Sequence, residues 1–338
     1  MLKLTPSAHG ILLVDKPAGI TSQGVVKKIK WLTRVKKVGH TGTLDPMATG
    51  LLPVCLGEAT KFSQFLLDSD KTYEATLSLG AQTDTGDREG QVIHSALVPK
   101  LEHSLVVAAM STLTGPIMQV PPMYAAIKID GKKLYESARE GITIERAARP
   151  ITVYELRLLE VIQSESESSI RFSAKVSKGT YIRALGEDLA AELGTLGHLS
   201  ALRRSRTSCF DVSTAHTLTE LEDLSEITLL APDTGLQHLQ YVELEPEQIT
   251  RLRIGQRLNI HAQLQAIKSE ASDQQNVHLA ELKSGEQTGK PSDTKSADVE
   301  PTEVELIRVG SSEERFAGLC ELEADGRLQP KRMMHLGD

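Results

Sequence analysis

Residues 72–79 read TYEATLSL, and their strict alternation places Tyr73, Ala75, Leu77 and Leu79 on one side of an extended segment. That period predicts a β-strand with one buried face, ended by the polar turn QTDTGDREG at 82–90. Upstream, Ile11–Val14 reads as a short buried strand stopped by DKPAG, where Pro17 and Gly19 enforce a turn. Thr21 or Ser22 then caps a helix whose Val25, Val26, Ile29 and Leu32 share one face. Leu51–Leu56 is a second buried strand, and residues 99–113 carry helical spacing through Leu101, Leu105, Val106, Ala109 and Leu113. Further on, Tyr124–Ile129 reads as a strand turning at Gly131 into a short helix that ends at Gly141. Two strand-like runs, 151–162 and 169–176, precede GTYIRALGEDLAAELG, a strand end running into a helix closed by Gly194. Strands and helices interleave without a βαβ repeat of constant length, which predicts an α+β fold with a mixed, largely antiparallel sheet flanked by helices.

At 338 residues the chain is long enough for two domains, and 40% hydrophobic with 25% charged residues is an ordinary globular balance. Aromatic residues make up only 4%, so aliphatic side chains must fill the core. A net charge of −7 excludes a protein that coats nucleic acid by overall charge. The balance is uneven, however: residues 1–60 hold eight Lys/Arg against three Asp/Glu, a local +5. Lys27, Lys28, Lys30, Arg34, Lys36 and Lys37 supply most of it, either as a solvated helix face or as a phosphate-contacting stripe. Cys55, Cys209 and Cys320 lie far apart without metal-ligand spacing, so buried free thiols are expected, with no disulfide and no metal. No run of about 18 apolar residues marks a membrane span, and the N-terminal apolar run ILLV is too short for a signal peptide. A cytoplasmic protein that does not engage membranes is expected. Residues 269–302 hold seven acidic residues, three Lys and no aromatic, the composition of a flexible insertion. The chain is therefore divided at 1–235 and 240–338, the second part being a small β domain interrupted by that insertion.

Several familiar sites are missing from the sequence. It contains no GxxxxGK[ST], GxGxxG or HExxH. The loop GHTGTLDPMATG, residues 39–50, is more informative. Asp45 precedes proline, a common turn pair, yet Gly39, Gly42 and Gly50 allow close backbone approach to a ligand and His40 lies five residues away. Arg183, just past a Gly-Thr-Tyr strand end, is either a second site residue or a surface arginine beside a carboxylate.

Five blocks carry a resemblance: GILLVDKPAGITS (10–22), GHTGTLDPMATGLLPVCLGEATK (39–61), KTYEATLSLGAQTDTGDREG (71–90), PPMYAAIKIDGKKLYESAREG (121–141) and SKGTYIRALGEDL (177–189). In that order they resemble the bacterial tRNA pseudouridine-55 synthases of the TruB type, over residues 10–235 and more weakly in the tail, where that family carries a small PUA-like β domain. Archaeal and eukaryotic relatives usually read GHSGTLDPKVTG in the second block, so Thr41 and Met47-Ala48 look bacterial.

The resemblance implies isomerisation of uridine 55 in the tRNA T loop. The glycosidic bond is cut and C5 is joined to C1′ after the base is flipped, without cofactor or metal. It implies Asp45 as the catalytic aspartate, attacking carbon or steadying charge at C1′, with Tyr73 stacked on the uracil. Arg183 would hold Asp45 ionised, since an opposing charge lowers a carboxyl pKa. Asp87 would take the far side of that guanidinium, and Tyr181 and Leu202 would pack around the base. His40 would fill the gap left by the extruded nucleotide, and Lys16 would reach a phosphate. The partner implied is tRNA, through its T loop and T stem, and the protein is expected to be a monomer. Two alternatives fit the same residues: a tRNA-binding chaperone that opens the T loop without chemistry, and a pseudouridine synthase of another RNA. Deleting 269–302 and rejoining the flanks with a short Gly/Ser linker is expected to leave turnover and the unfolding midpoint nearly unchanged, because shortening a polar loop slightly lowers its closure entropy. Loss of activity on that deletion would give the insertion a role in folding or RNA binding.

Overall fold

The computed structural model describes residues 4, 8–125, 128–129, 132–134, 138, 142, 144–265 and 304–335; the acidic stretch 269–302 lies outside them. Two compact units result, Met1–Gly235 and Leu236–Asp338. The first contains β1 (Gly10–Lys16), α1 (Ser22–Thr33), β2 (Val38–His40), β3 (Thr49–Leu56), α2 (Ser63–Leu67) and β4 (Lys71–Leu79). It continues with β5 (Ala81–Thr83), β6 (Val92–Ser95), α3 (His103–Thr112), β7 (Gly115–Gln119), β8 (Lys128–Ile129) and β9 (Lys132–Lys133). Its last elements are β10 (Arg149–Gln163), β11 (Ser168–Val176), α4 (Ile182–Glu192), β12 (Gly197–Thr207), β13 (Phe210–Asp211), β14 (His216–Thr217) and α5 (Leu218–Asp223).

The main sheet runs β14-β1-β3-β12-β4-β11-β10-β7, with β2 and β13 attached at its side. Only β14·β1 and β3·β12 pair in parallel, so the architecture is α+β with a mixed, largely antiparallel sheet. The alternation of 72–79 is realised: Tyr73, Ala75 and Leu77 are buried on β4. Two aliphatic clusters hold the unit together. One joins Leu77, Val153, Phe172 and Leu199 of the sheet to Val106 of α3 and Leu185 and Leu189 of α4. The other packs Val25, Ile29 and Leu32 of α1 against Leu12 and Val14 of β1 and Leu52 and Val54 of β3. Helix α1 starts where the Thr21 hydroxyl accepts the Gly24 N–H at 2.9 Å and ends at Arg34 in the left-handed region, φ 60°.

Some expectations need correction. Leu105 is 56% exposed, because α3 buries a narrower face through Val106, Ala109 and Met110. Tyr124 sits in a turn instead of opening a strand, and only Lys128–Ile129 of that stretch is described as extended. Cys55 and Cys320 are buried, but Cys209, in the tight turn between β12 and β13, is exposed. Strands β2, β5, β6, β7, β9, β12, β13 and β14 have no counterpart among the strands expected from the sequence.

The second unit contains β15 (Tyr241–Glu243), α6 (Pro246–Arg253), β16 (Leu258–Asn259), β17 (Glu305–Gly310), β18 (Gly318–Leu322) and β19 (Arg327–Met333). Its five strands run β15-β17-β18-β19-β16, around a core that includes Val242, Leu252, Ile307 and Leu328. A capping box between Glu245 and Gln248 starts α6, with Pro246 in its first turn.

Gly50 is where glycine is required. It pairs with Arg204 across the parallel contact of β3 and β12 at φ 102°, and a Cβ there would meet the Arg204 carbonyl oxygen at 2.3 Å. Gly19 has φ 81° but open space around it. Gly50→Ala is therefore expected to lower unfolding free energy by roughly 2 kcal/mol or more in urea titrations, and Gly19→Ala by about 1 kcal/mol from backbone strain alone. Equal losses would show that the close approach of the two strands is not what requires glycine.

Candidate active site

The loop between β2 and β3 is fixed from several sides. The Ser22 hydroxyl, at the start of α1, accepts the Leu44 N–H at 2.8 Å and donates to the Leu44 carbonyl at 3.1 Å. Gly19 N–H donates to the Pro46 carbonyl at 2.8 Å. Arg204, fully buried on β12, donates to the carbonyls of Gly42 at 3.1 Å and Leu51 at 2.8 Å. Leu44, Met47 and Ala48 enter the first core cluster, and the Ala48 N–H donates to the Asp45 carbonyl at 3.1 Å. Asp45 is thus a turn former, with its half-buried carboxylate turned to Arg183.

Arg183, in the first turn of α4, is 4% exposed. Its Nε lies 3.0 Å from Asp45 Oδ2 and its Nη2 donates to Asp45 Oδ1 at 3.4 Å, a side-on pairing. Nη2 also donates to the Tyr124 carbonyl at 2.9 Å, Nη1 donates to the Thr85 carbonyl at 2.8 Å, and Asp87 Oδ2 lies 3.5 Å from Nη1. Asp87 is itself buried and accepts from Thr85 Oγ1 at 2.8 Å and Glu89 N–H at 3.0 Å.

The pair stands between two cavities, of about 770 and about 340 Å³, both lined by Asp45, Tyr124 and Arg183. His40 and Asp87 line the larger cavity, whereas Tyr73, Tyr181 and Leu202 line the smaller. His40 Nδ1 accepts the Gly42 N–H at 3.3 Å; burial, then the nearby Arg204 charge, lowers its pKa and keeps the ring neutral. Burial raises the Tyr181 pKa, with Arg183 pulling it back, so the phenol keeps its proton at neutral pH.

Lys16 lines neither cavity and is 0% exposed. Its ammonium donates to the carbonyls of Pro17 at 2.9 Å, Ile20 at 2.7 Å and Pro46 at 3.1 Å, and burial lowers its pKa to about 8. It ties the Asp45 loop to the turn after β1, and the expected phosphate contact is corrected: its N–H groups are spent inside the protein.

Arg183 does not by itself hold Asp45 in the ordinary carboxylate range. Burial pushes the Asp45 pKa up and the Asp87 charge adds to this, while Arg183 and Lys16 offset part of the shift. The sequence reading of a lowered value took account of the charge and not of the desolvation.

Comparison with known proteins places this geometry. Residues 30–182 match the model described as TruB family pseudouridylate synthase (N terminal domain). Residues 183–239 match tRNA pseudouridylate synthase B C-terminal domain, and 297–334 match Pseudouridine synthase II TruB, C-terminal. The chain belongs to the TruB family of pseudouridylate synthases. The tRNA pseudouridine synthase B of Psychrobacter cryohalolentis is 43% identical over 344 residues, covering 97% of this chain and 94% of that one. The protein of the same name from Aromatoleum aromaticum is 54% identical over 240 residues, covering 70% and 76%. Among solved structures, the archaeal box H/ACA sRNP Nop10-Cbf5 complex is similar in fold, with a TM-score of 0.63 at 20% identity over 98% of this chain and 90% of that one.

Around the Asp45–Arg183 pair stand several positioning residues that the sequence does not single out. The Gln119 amide, buried at the end of β7, accepts the Tyr181 N–H at 2.8 Å and donates to the Tyr181 carbonyl at 3.1 Å, orienting the start of α4. Lys71, lining the smaller cavity, donates to the Leu67 carbonyl at 2.6 Å and to the Ser69 carbonyl. Arg204 and Ser22 hold the Asp45 loop as described. None of these has a local pattern that separates it from a surface polar residue.

The balance around Asp45 is measurable by carboxyl NMR titration. Its pKa is expected above the ordinary value of 3.8. Arg183→Met, which removes the largest opposing charge, should move it further up, and Asp87→Asn, which removes a like charge, should move it down. A shift of either variant in the reverse direction would contradict this electrostatic assignment.

Proposed function

We propose that this chain converts uridine 55 in the T loop of tRNA to pseudouridine, with Asp45 as the reacting carboxylate. The observation that supports it best is the Asp45–Arg183 pair on the wall between two cavities, one lined by Tyr73, Tyr181 and Leu202. Family membership supplies the reaction class, and the tRNA named in the relatives supplies the substrate.

The target base must leave its stack, at a cost of a few kcal/mol. In this proposal it enters the smaller cavity, where the Tyr73 ring stacks on it and Tyr181 and Leu202 close around it, while His40 takes the space it vacates. Asp45 acts on the nucleoside as a nucleophile or as a base toward a ribose proton, and Arg183 fixes the direction of its oxygens. The N1–C1′ bond breaks and a C5–C1′ bond forms. C5 gives up its proton and N1 gains one, so composition and oxidation state are unchanged. Arg183, Tyr73 and Asp45 are all provided by this chain, and intact catalytic residues favour an enzyme over a chaperone that only opens the loop. The second unit, PUA-like in this proposal, is an accessory RNA grip.

Mapping pseudouridines in total RNA from cells lacking the gene should show a loss at tRNA position 55; modification retained there would refute the proposed position. With purified protein, Asp45→Asn is expected to abolish single-turnover conversion while tRNA affinity stays within about tenfold, roughly 1.4 kcal/mol. Arg183→Lys should be nearly as damaging as Arg183→Met, because a side-on two-nitrogen grip is lost in both. A lysine variant of near-normal rate would mean that charge alone suffices.

A further inference from the structure

Residues 16–44 contain seven Lys/Arg and no Asp/Glu, in a chain whose net charge is −7. Most of that charge sits on or just beyond α1, whose inner face, Val25, Val26, Ile29 and Leu32, is buried. The outer face presents Gln23, Lys27, Lys30 and Trp31, with Arg34 following at the C-cap, all exposed and spaced to share one side of a helix. Trp31 is 57% exposed and is the only tryptophan in the chain.

The cations of this segment fall into two groups. Lys28 is ion-paired with Glu222 of α5 and its Nζ stands 5.2 Å from the centre of the Trp31 ring, so a tethered charge steadies the indole. Lys37 is held by Glu58 at 2.9 Å. Among the described residues, Lys27, Lys30, Arg34 and Lys36 have no ion-pair partner. Singly exposed apolar side chains are ordinary. Here an aromatic ring shares one side of a helix with Lys27, Lys30 and the C-cap Arg34, with Lys36 just beyond, and the other face of the helix is locked in the core. At its N-terminal end, Gln23 and Ser22 line the same cavity as Asp45. Trp31 is eight residues further on, about 12 Å along the helix axis.

We propose that the outer face of α1 is an RNA-docking surface. The strand whose nucleotide enters the smaller cavity passes the larger one and continues along the helix, one unpaired or stem-end base stacks on Trp31, and Lys27, Lys30, Arg34 and Lys36 take neighbouring phosphates. The unpartnered charges match a polyanion, and a π-face accepts any base, which suits docking beside the reacting nucleotide without reading its sequence. The geometry requires Gln23 at the cavity and Trp31 two turns away on one rigid element, and the core contacts of α1 supply that rigidity. This surface rests on the proposed RNA activity.

Because Trp31 is the sole tryptophan, its fluorescence reports on the surface directly. Titrating the full chain with a T-arm stem–loop RNA is expected to quench that emission, with the same midpoint as filter binding. Trp31→Phe should retain affinity within about twofold, whereas Trp31→Ala should weaken it about tenfold, roughly 1.4 kcal/mol. Replacing Lys27, Lys30 and Arg34 by Gln should flatten the salt dependence by about 0.7 in log–log slope per lost single-strand phosphate contact. Emission unchanged at an RNA concentration that saturates filter binding would overturn the proposal, as would a Trp31→Ala variant binding as tightly as wild type. Pseudouridine formation with a silent Trp31 would reject the surface and leave the activity standing. Quenching and weakened Trp31→Ala binding without pseudouridine formation would support the surface and reject the activity.

Discussion

The Arg183 guanidinium is a charged group almost wholly removed from water. Its N–H groups must therefore find acceptors inside the protein. They do so on three segments remote in sequence: the Asp45 carboxylate, the Thr85 carbonyl with Asp87 beside it, and the Tyr124 carbonyl. Truncating one partner of such a buried pair typically costs about 3–5 kcal/mol, because the remaining charge is left uncompensated. That penalty makes the position of Asp45 a consequence of folding. The sheet carries β3, whose preceding loop holds Asp45, and β4, which leads through β5 to the turn of Thr85 and Asp87; α4 packs across it, and the guanidinium is satisfied only when all three segments arrive together.

The loop that bears Asp45 inserts Leu44, Met47 and Ala48 into the core, and it is also held through its main chain. Lys16 and the Gly19 N–H take the Pro46 carbonyl, Ser22 takes both polar groups of Leu44, and Arg204 takes the Gly42 carbonyl. Two of these donors are charged and buried, which is expensive unless each finds good acceptors. Their placement means that a shift of the loop would leave an ammonium or a guanidinium unsatisfied. Rigidity at the site thus comes from polar groups that cannot be left unpaired, and the aliphatic clusters on either side supply the frame.

The parts of this arrangement that were legible in the sequence are those with a period or a block. Alternation through 72–79 and the 3.6-residue spacing through Val25, Val26, Ile29 and Leu32 located β4 and α1. Strand β12 escaped because its sequence, GHLSALRRSRT, carries three arginines on an extended run, one of them, Arg204, buried against carbonyls. Asp45 and Arg183 were set apart from a turn former and a surface arginine only by resemblance, since residue type and spacing fit both descriptions. Lys16 was read as facing a phosphate because nothing in DKP distinguishes an exposed lysine from one enclosed by three carbonyls. Burial reversed the direction assigned to the Asp45 pKa for the same reason: charges can be read from a sequence, while the water excluded around them depends on which distant segments close over the site.

Charge distribution shows how an acidic chain can still present a surface for a polyanion. Helix α1 carries two patterns at once. Its aliphatic spacing fastens it to β1 and β3, and the residues between supply cations that, among the described residues, have no ion-pair partner except at Lys28. Coulombic attraction between exposed charges fades over roughly 10 Å at 0.1 M salt, so the distant acidic residues behind the overall −7 are largely screened from this face. What a phosphate would meet is the local set, held at fixed spacing by a helix that the core does not allow to turn. The same packing that buries Val25 and Ile29 therefore decides which charges face solvent on the helix whose first residues, Ser22 and Gln23, line the larger cavity beside Asp45.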